Sequence, residues 1–327
     1  MTRILSWTLG MLTVLVSVSG YSSEKPAASS CIAASLEESL SRPLLSINVI
    51  AGSASEAKVA EVVMDAKRAA AFAEKYFTFP SKLDLYVPEL TGRNGSIYEM
   101  PQYNPSLERI TSPYLYGFKQ DGKVISKGRR HSQTIFNHEF GHFIFRHNSG
   151  TQEDWLKMFY KGRRDSLEQM GYISENDFRA IVSSYDELFA DVFAVAISKN
   201  AQAIFSAEDF TLRPALESAG YPADIISKVR KARNFAAPLD VDSWTATDPH
   251  IRLGPARSAF VHHSYAAHLL KTDPQRLTKL VFDAIQSELN ALTGPEILRL
   301  PTLTVPEQNK RMINAMRRIL DEDAYRN

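Results

Sequence analysis

The sequence predicts an α+β protein, in which a strand-bearing N-terminal lobe is followed by a mainly α-helical C-terminal lobe. Two patterns lead to this prediction. Alternating and aromatic stretches typical of strands fall between residues 82 and 128, and apolar residues recur at helical spacing from about residue 131 onward. Strands in one part of a chain and helices in the next are typical of this class. We therefore predict an N-terminal lobe over 51–150 and a helical lobe over 151–327.

Three elements are predicted in the N-terminal lobe before its last helix. A helix is expected over 55–77, because small and apolar residues recur there every three or four positions until Pro80 ends the pattern. Apolar and polar residues alternate over 82–87, which predicts a half-buried strand. Turn clusters and short aromatic runs over 92–128 indicate short antiparallel strands.

The helical part of the chain contains a series of segments with the same three- and four-residue spacing. One of them has a clear start, with Asp273 as the N-cap and Pro274 at the first helical position. The stretch 235–258 is rich in turn residues and has no clear regular pattern, and such loops often carry function. The predicted helices span 132–147, 152–170, 174–182, 184–199, 206–219, 222–234, 273–292 and 306–322.

The first residues have the pattern of a secretory signal peptide. Arg3 precedes an apolar stretch that runs from about Ile4 to Val18, and small residues follow. We therefore predict a signal peptide over 1–20, a flexible leader over 21–50, and export to the periplasm or the extracellular space. An anchor that stays attached is the alternative, although the stretch is short for a membrane-spanning helix, and we expect no stable span after signal removal.

Composition excludes several classes of function. The chain has 38 Lys and Arg against 37 Asp and Glu, and this balance gives no electrostatic case for nucleic acid or for an anionic membrane surface. Its single cysteine, Cys31, excludes an internal disulfide framework and any zinc site with two or more thiolates. A metal site in this chain would have to use imidazole and carboxylate groups.

Residues 138–142 read His-Glu-Phe-Gly-His, which is a metal-binding pattern on a helix. Positions i and i+4 share a helix face, so His138 and His142 can reach one ion. Glu139 lies about 100° round the helix, where it can accept a proton from an activated water as a general base. Two structural histidines and an ion-paired glutamate are the alternative interpretation.

A catalytic zinc needs three protein ligands, and two residues are candidates for the third. His147 is one residue out of register with the metzincin pattern, so we interpret it as a helix-end histidine. Glu187 is followed by Asp191 four positions later, and the two carboxylates share a helix face. Asp191 lies among apolar residues, where it needs a buried partner such as the ring of a ligand histidine. A capping box starting at Ser184 is the alternative for Glu187.

With these residues, the chain over about 132–199 resembles the gluzincin metallopeptidases, the thermolysin-like group with His-Glu-x-x-His on one helix and Glu-x-x-x-Asp on the next. The resemblance implies a zincin-like active-site helix between the lobes and one Zn²⁺ per chain, bound by His138, His142 and Glu187. It also implies that Glu139 is the general base and that Asp191 hydrogen-bonds a ligand histidine. The chain departs from the group at position 186, where Asp replaces the usual Asn.

The resemblance further implies a hydrogen-bond donor for the developing oxyanion and an edge strand that pairs with substrate. His250 has the order and spacing of the donor, and Asp248 is placed to orient it. A surface histidine is the alternative, and Tyr185, Arg252 and Arg257 are further candidate donors. Our best candidate for the edge strand is the segment 97–118.

Three functional readings follow from these residues. The first is an exported zinc peptidase that hydrolyses peptide or protein substrates, with Glu139 and His250 as catalytic residues. The second is a catalytically inactive zinc-binding protein of peptidase-like fold, acting as a binding or assembly module. The third is a helical protein in which the motif is accidental. The content of zinc in the purified protein separates the third reading from the other two.

Overall fold

The computed structural model describes residues 45–50, 52–89, 101–120, 123–126, 128–160, 175–207, 222–293 and 303–326. Most of these residues are helical, and the strands form one small mixed sheet and one hairpin, which agrees with the predicted α+β class. The division into two lobes at residue 150 stays a prediction. The predicted signal peptide and residues 21–44 of the predicted leader lie outside the described residues. No helix within the described ranges has both the length and the apolarity that crossing a membrane requires.

The mixed sheet has the strand order β1-β2-β4-β3, so β3 lies at its edge. Its strands are β1 (Ser46–Ile50), β2 (Lys82–Tyr86), β3 (Gln102–Asn104) and β4 (Arg109–Thr111). The helix α1 (Glu56–Ala73) connects β1 to β2, and such a crossover allows the two strands to run parallel. Leu83 and Leu85 of β2 are fully buried, as the alternation over 82–87 predicts.

Two expectations about the strands are corrected. Residues 46–50, assigned to the flexible leader from the sequence, form β1, because the segment pairs along its whole length with β2. The short strands over 92–128 are only partly antiparallel. The pairs β3–β4 and β5–β6 are antiparallel, with β5 at Gly117–Gln120 and β6 at Lys123–Ser126, whereas β4 runs parallel to β2.

Where the chain is described, the helices follow the predicted order, except that two of them are fused and that additional helices follow residue 248. Most of the helix predicted over 206–219, and residues 161–170 of the helix predicted over 152–170, lie outside the described residues. The helices predicted over 174–182 and 184–199 are one continuous helix, because the Ser184 hydroxyl bonds the Ile181 carbonyl inside the helix instead of capping a new one. The stretch 235–258, predicted to be irregular, contains one short helix and the start of another. The observed helices are α2 Arg129–Ser149, α3 Gln152–Tyr160, α4 Glu175–Ser198, α5 Ala223–Ala232, α6 Pro249–Arg252, α7 Gly254–His262, α8 Ser264–Thr272, α9 Pro274–Thr293 and α10 Val305–Arg326.

A close crossing of α2 and α4 lies at the centre of the core. A Cβ atom added to Gly141 of α2 would lie only 2.7 Å from the Ala190 Cα of α4, so the two backbones meet at small residues. Phenylalanines pack around this contact, and the Phe140 and Phe193 rings stack with centroids 6.0 Å apart. Because Gly141 precedes His142 and Ala190 follows Glu187 by three residues, the crossing brings the two predicted motifs together.

Candidate metal centre

The two histidines of the His-Glu-x-x-His pattern face each other on α2. Their Nε2 atoms lie 3.0 Å apart, and both side chains are largely buried. Two nitrogen ligands of a tetrahedral zinc ion are separated by roughly 3.3 Å. The spacing of His138 and His142 therefore suits two ligands of one ion, as their helical positions predict.

Glu187 of α4 completes the group. Its Oε2 lies 3.6 Å from His138 Nε2, and its Oε1 lies 3.7 Å from His142 Nε2. One ligand atom from each of the three residues lies within 4.8 Å of the others. Glu187 Oε2 is buried and accepts no hydrogen bond from a described residue, which leaves a donor atom available for a cation. Two imidazoles and one carboxylate form a donor set that suits zinc.

A second carboxylate orients each histidine. Asp191 Oδ1 lies 2.9 Å from His138 Nδ1, so Asp191 occupies the place predicted for it. Asp186 Oδ1 lies 2.7 Å from His142 Nδ1, a contact that the sequence reasoning missed. A carboxylate on Nδ1 holds the ring proton there and directs Nε2 towards a metal. At His138 the Arg233 guanidinium also faces this ligand atom, with Nη2 3.3 Å from Nε2. The signal was present in the sequence, since position 186 is the one at which the chain departs from the thermolysin-like pattern.

Asp191 is also the centre of a buried ion network. Arg233 Nη2 donates to its Oδ1 at 2.5 Å, and Arg257 Nε donates to its Oδ2 at 2.7 Å. Asp191 and Arg257 are fully buried. Burial raises the pKa of Asp191, but the two guanidinium groups outweigh that effect and hold the pKa well below its ordinary value. Arg233 was not predicted, and Arg257, one of the further candidate oxyanion donors, binds Asp191 instead.

His250 lies beside the three candidate ligands. It is the second residue of α6, where the Asp248 side chain caps the helix and also lies 3.0 Å from His250 Nδ1. Its other nitrogen, Nε2, is 3.3 Å from Glu187 Oε1. The Glu187 carboxylate raises the pKa of His250 more than burial lowers it, to about 9. The histidine is therefore protonated near neutral pH when the three ligands hold no cation.

The remaining sequence candidates lie elsewhere. Tyr185 is fully buried, and it does not line the cavity beside the ligands. The Arg252 side chain is buried against Gln308 of α10. His147 contacts Glu108 at 3.0 Å, which agrees with its interpretation as a helix-end histidine. The contacts of Arg252 and His147 are accounted for without a metal.

Glu139 connects the centre to the edge of the sheet. Its Oε2 accepts a hydrogen bond of 2.8 Å from the backbone N–H of Tyr103 in β3. This N–H lies at the outer edge of the sheet, where the Glu139 carboxylate already occupies it. The strand lies inside the segment 97–118, which the sequence analysis selected for an edge strand.

A cavity of about 430 Å³ opens over these groups. The three candidate ligands, Glu139 and His250 all line it. The strand β3 forms one wall, and the residues that follow α2 form another. Further lining residues are Gln102, Tyr103, Arg146, Thr151, Ser183 and Asp186.

Comparisons with protein-family models, curated proteins and solved structures found no match. The resemblance to gluzincins therefore rests on the motif residues and stays a prediction.

The carboxylates of the centre hold positive charge, which includes the Arg233 guanidinium 3.6 Å from Glu187 Oε2. Burial raises the pKa of Glu187, but the charges of His250, His142 and His138 lower it by more, to about 2. The carboxylate is therefore ionised. Burial lowers the pKa of His142, whereas Asp186 and Glu187 raise it more, to about 10. Carboxylates thus hold positive charge at this position, and a metal ion would take the place of the proton on His142.

Proposed function

We propose that the chain is a zinc-dependent peptidase with one Zn²⁺ held by His138, His142 and Glu187. The observation that carries the proposal is the convergence of these three donors in the wall of a cavity that also contains Glu139. Three protein ligands beside an open cavity are typical of catalytic zinc, whereas structural zinc has four protein ligands. When bound, zinc supplies Lewis acidity, which polarises a carbonyl group and lowers the pKa of water towards neutrality.

Glu139 is the proposed general base. Its carboxylate accepts a proton from the attacking water and then transfers it to the nitrogen of the departing amine. The hydrogen bond from Tyr103 N–H holds the Glu139 carboxylate between the ligand helix and β3, on the side from which a peptide would enter. This bond leaves Glu139 Oε1 available to the water.

His250 is the proposed donor to the developing oxyanion. Its Nε2 lies near Glu187, on the same side of the cavity as the ligands, and Asp248 fixes the ring through Nδ1. A protonated Nε2 donates a hydrogen bond to an oxygen that gains negative charge, and such an interaction strengthens in the transition state.

The substrate proposed for this site is an extended peptide or a segment of a protein. The edge strand β3 borders the cavity, and an extended chain can pair with an open strand edge. We also propose that the protein acts in the periplasm or outside the cell, because the sequence of residues 1–20 has the pattern of a signal peptide.

Metal analysis and peptide digestion test the proposal. Purified full-length chain should contain close to one zinc per molecule and should cleave peptides from an unbiased library. Glu139→Gln should retain zinc and lose turnover, while Glu74→Gln, a control at an exposed site after α1, should behave as the wild type.

Each result that differs from these expectations contradicts a different step of the proposal. Protein that binds no zinc would contradict the proposal at its first step. Zinc without cleavage would instead favour the inactive zinc-binding module. Wild-type turnover by Glu139→Gln would show that another group is the base.

A further inference from the structure

Arg146 lies one helical turn beyond His142, and both residues line the cavity. Residues four apart share a helix face, so the Arg146 side chain projects along the same wall as the metal ligands. Its side chain is 32% exposed. Among the described residues that line the cavity, Arg146 is the only lysine or arginine.

The charge of Arg146 is only loosely paired. Its nearest carboxylate is Glu108, and the distance from Arg146 Nε to Glu108 Oε1 is 3.9 Å, too long for a hydrogen bond. The other oxygen of Glu108 is already bonded to the Tyr103 hydroxyl at 2.8 Å and to His147 Nε2 at 3.0 Å. The guanidinium nitrogens of Arg146 make no hydrogen bond to any residue in the described part of the chain.

Two further carboxylates, Asp154 and Asp186, also have partners. Asp154 accepts hydrogen bonds from the backbone N–H and the hydroxyl of Thr151, and it caps α3 in this way. Asp186 is bonded to His142. Neither of these carboxylates nor Glu108 makes a hydrogen bond to the guanidinium of Arg146.

We propose that Arg146 binds a carboxylate of the substrate, a role that rests on the proposed peptidase function. Arginine binds carboxylates through two parallel N–H donors, and it is preferred where such recognition is needed. One helical turn is about 5.4 Å and one extended residue spans about 3.4 Å. The bound carboxylate therefore belongs to a residue one or two positions from the cleaved bond. It comes from an acidic side chain or from the chain's C-terminus.

Peptide binding to the zinc-loaded Glu139→Gln variant tests this assignment without requiring turnover. Three peptides of one parent sequence separate the two sources: one with Glu and an amidated C-terminus, one with Gln and an amidated C-terminus, and one with Gln and a free C-terminus. We expect one of the two carboxylate peptides to bind about tenfold to hundredfold more tightly than the neutral peptide, as charged hydrogen bonds predict.

Adding Arg146→Gln should abolish this preference while the neutral peptide still binds as before. Arg146→Lys should retain part of the preference, because it keeps the charge and loses the fork. Arg130→Gln, at an exposed position of the same helix, is the matched control and should change neither affinity. Equal zinc content and equal far-UV circular dichroism establish that the variants are folded.

The outcomes separate this inference from the function on which it rests. A carboxylate preference that survives Arg146→Gln overturns the role of Arg146 and leaves the peptidase proposal intact. The same holds if the wild type cleaves all three peptides and prefers none. If the wild type cleaves no peptide and the Glu139→Gln variant binds none, both proposals are overturned.

Discussion

Asp191→Asn removes the charge from the centre of the buried network while it preserves the shape of the side chain. In the wild type, Asp191 accepts hydrogen bonds from Arg233 and Arg257 and contacts the His138 ring at 2.9 Å. The terminal nitrogens of Arg257 are buried and bond to no described residue, so among those residues Asp191 alone supplies a counter-charge that touches this guanidinium. Asparagine leaves two buried arginines without that charge.

Two losses of different size are expected from this substitution. Removing one member of a buried ion pair costs about 3–5 kcal/mol of unfolding free energy. For a chain of this length the melting temperature should fall by on the order of 10 °C. Removing the carboxylate that orients a ligand histidine typically lowers metal affinity by about 10–100-fold. Asp191→Asn should show both the loss of stability and the loss of metal affinity, because the same side chain pairs with the arginines and orients His138.

Asp186→Asn is the matched control. Its carboxylate is 37% exposed and bonds His142 without touching an arginine. This variant should lose zinc affinity to a similar extent and lose less than about 1 kcal/mol of stability, as expected for an exposed pair. Urea unfolding in the presence of a chelator measures the free energy of unfolding, and the variants can be compared if its slope against urea concentration, the m value, is the same for both. Competition with a chromophoric chelator measures zinc affinity. Equal stability of the two variants would refute the reasoning about the buried network.

Three further predictions follow from the geometry. Gly141→Ala should lower the unfolding free energy by about 1–2 kcal/mol, since overpacking against Ala190 outweighs the gain in helix propensity, and unchanged urea unfolding would contradict the tight crossing. Removal of zinc by a chelator should lower the melting temperature. Free zinc at 100 times its dissociation constant should raise the free energy of unfolding by about 2.7 kcal/mol. A melting curve that does not change with zinc would argue against the site. His250→Gln should reduce kcat/KM by about 10²–10³ with zinc content unchanged, and a wild-type rate would remove His250 from the mechanism.

Local spacing was sufficient to predict the candidate ligands. His138 and His142 share a helix face because they are four residues apart, and the same spacing applies to Glu187 and Asp191. The helix predicted over 273–292 is observed at Pro274–Thr293, and Asp273 accepts a hydrogen bond from the Arg276 N–H at its start. Such features depend on neighbours within one or two helical turns, and a sequence displays those neighbours directly.

Contacts between distant segments could not be predicted in this way. Arg233 and Arg257 lie 42 and 66 residues after Asp191, and Tyr103 lies 36 residues before Glu139. A lone arginine in a turn-rich stretch does not reveal whether it faces a cavity or a buried carboxylate. Arg257 was therefore only a further candidate for the oxyanion, whereas the packing of α7 places it on Asp191.

The sequence by itself determined which residues can bind a metal, because helical periodicity and the lack of a second cysteine restrict the donors to a few imidazoles and carboxylates. Only the tertiary structure decided that these donors meet. The close crossing at Gly141 and Ala190 brings α2 and α4 together, and the pairing of β3 with β4 places the Tyr103 N–H on Glu139. Packing brings segments together across long sequence separations, and a periodic pattern records only which face of each segment is available for that packing.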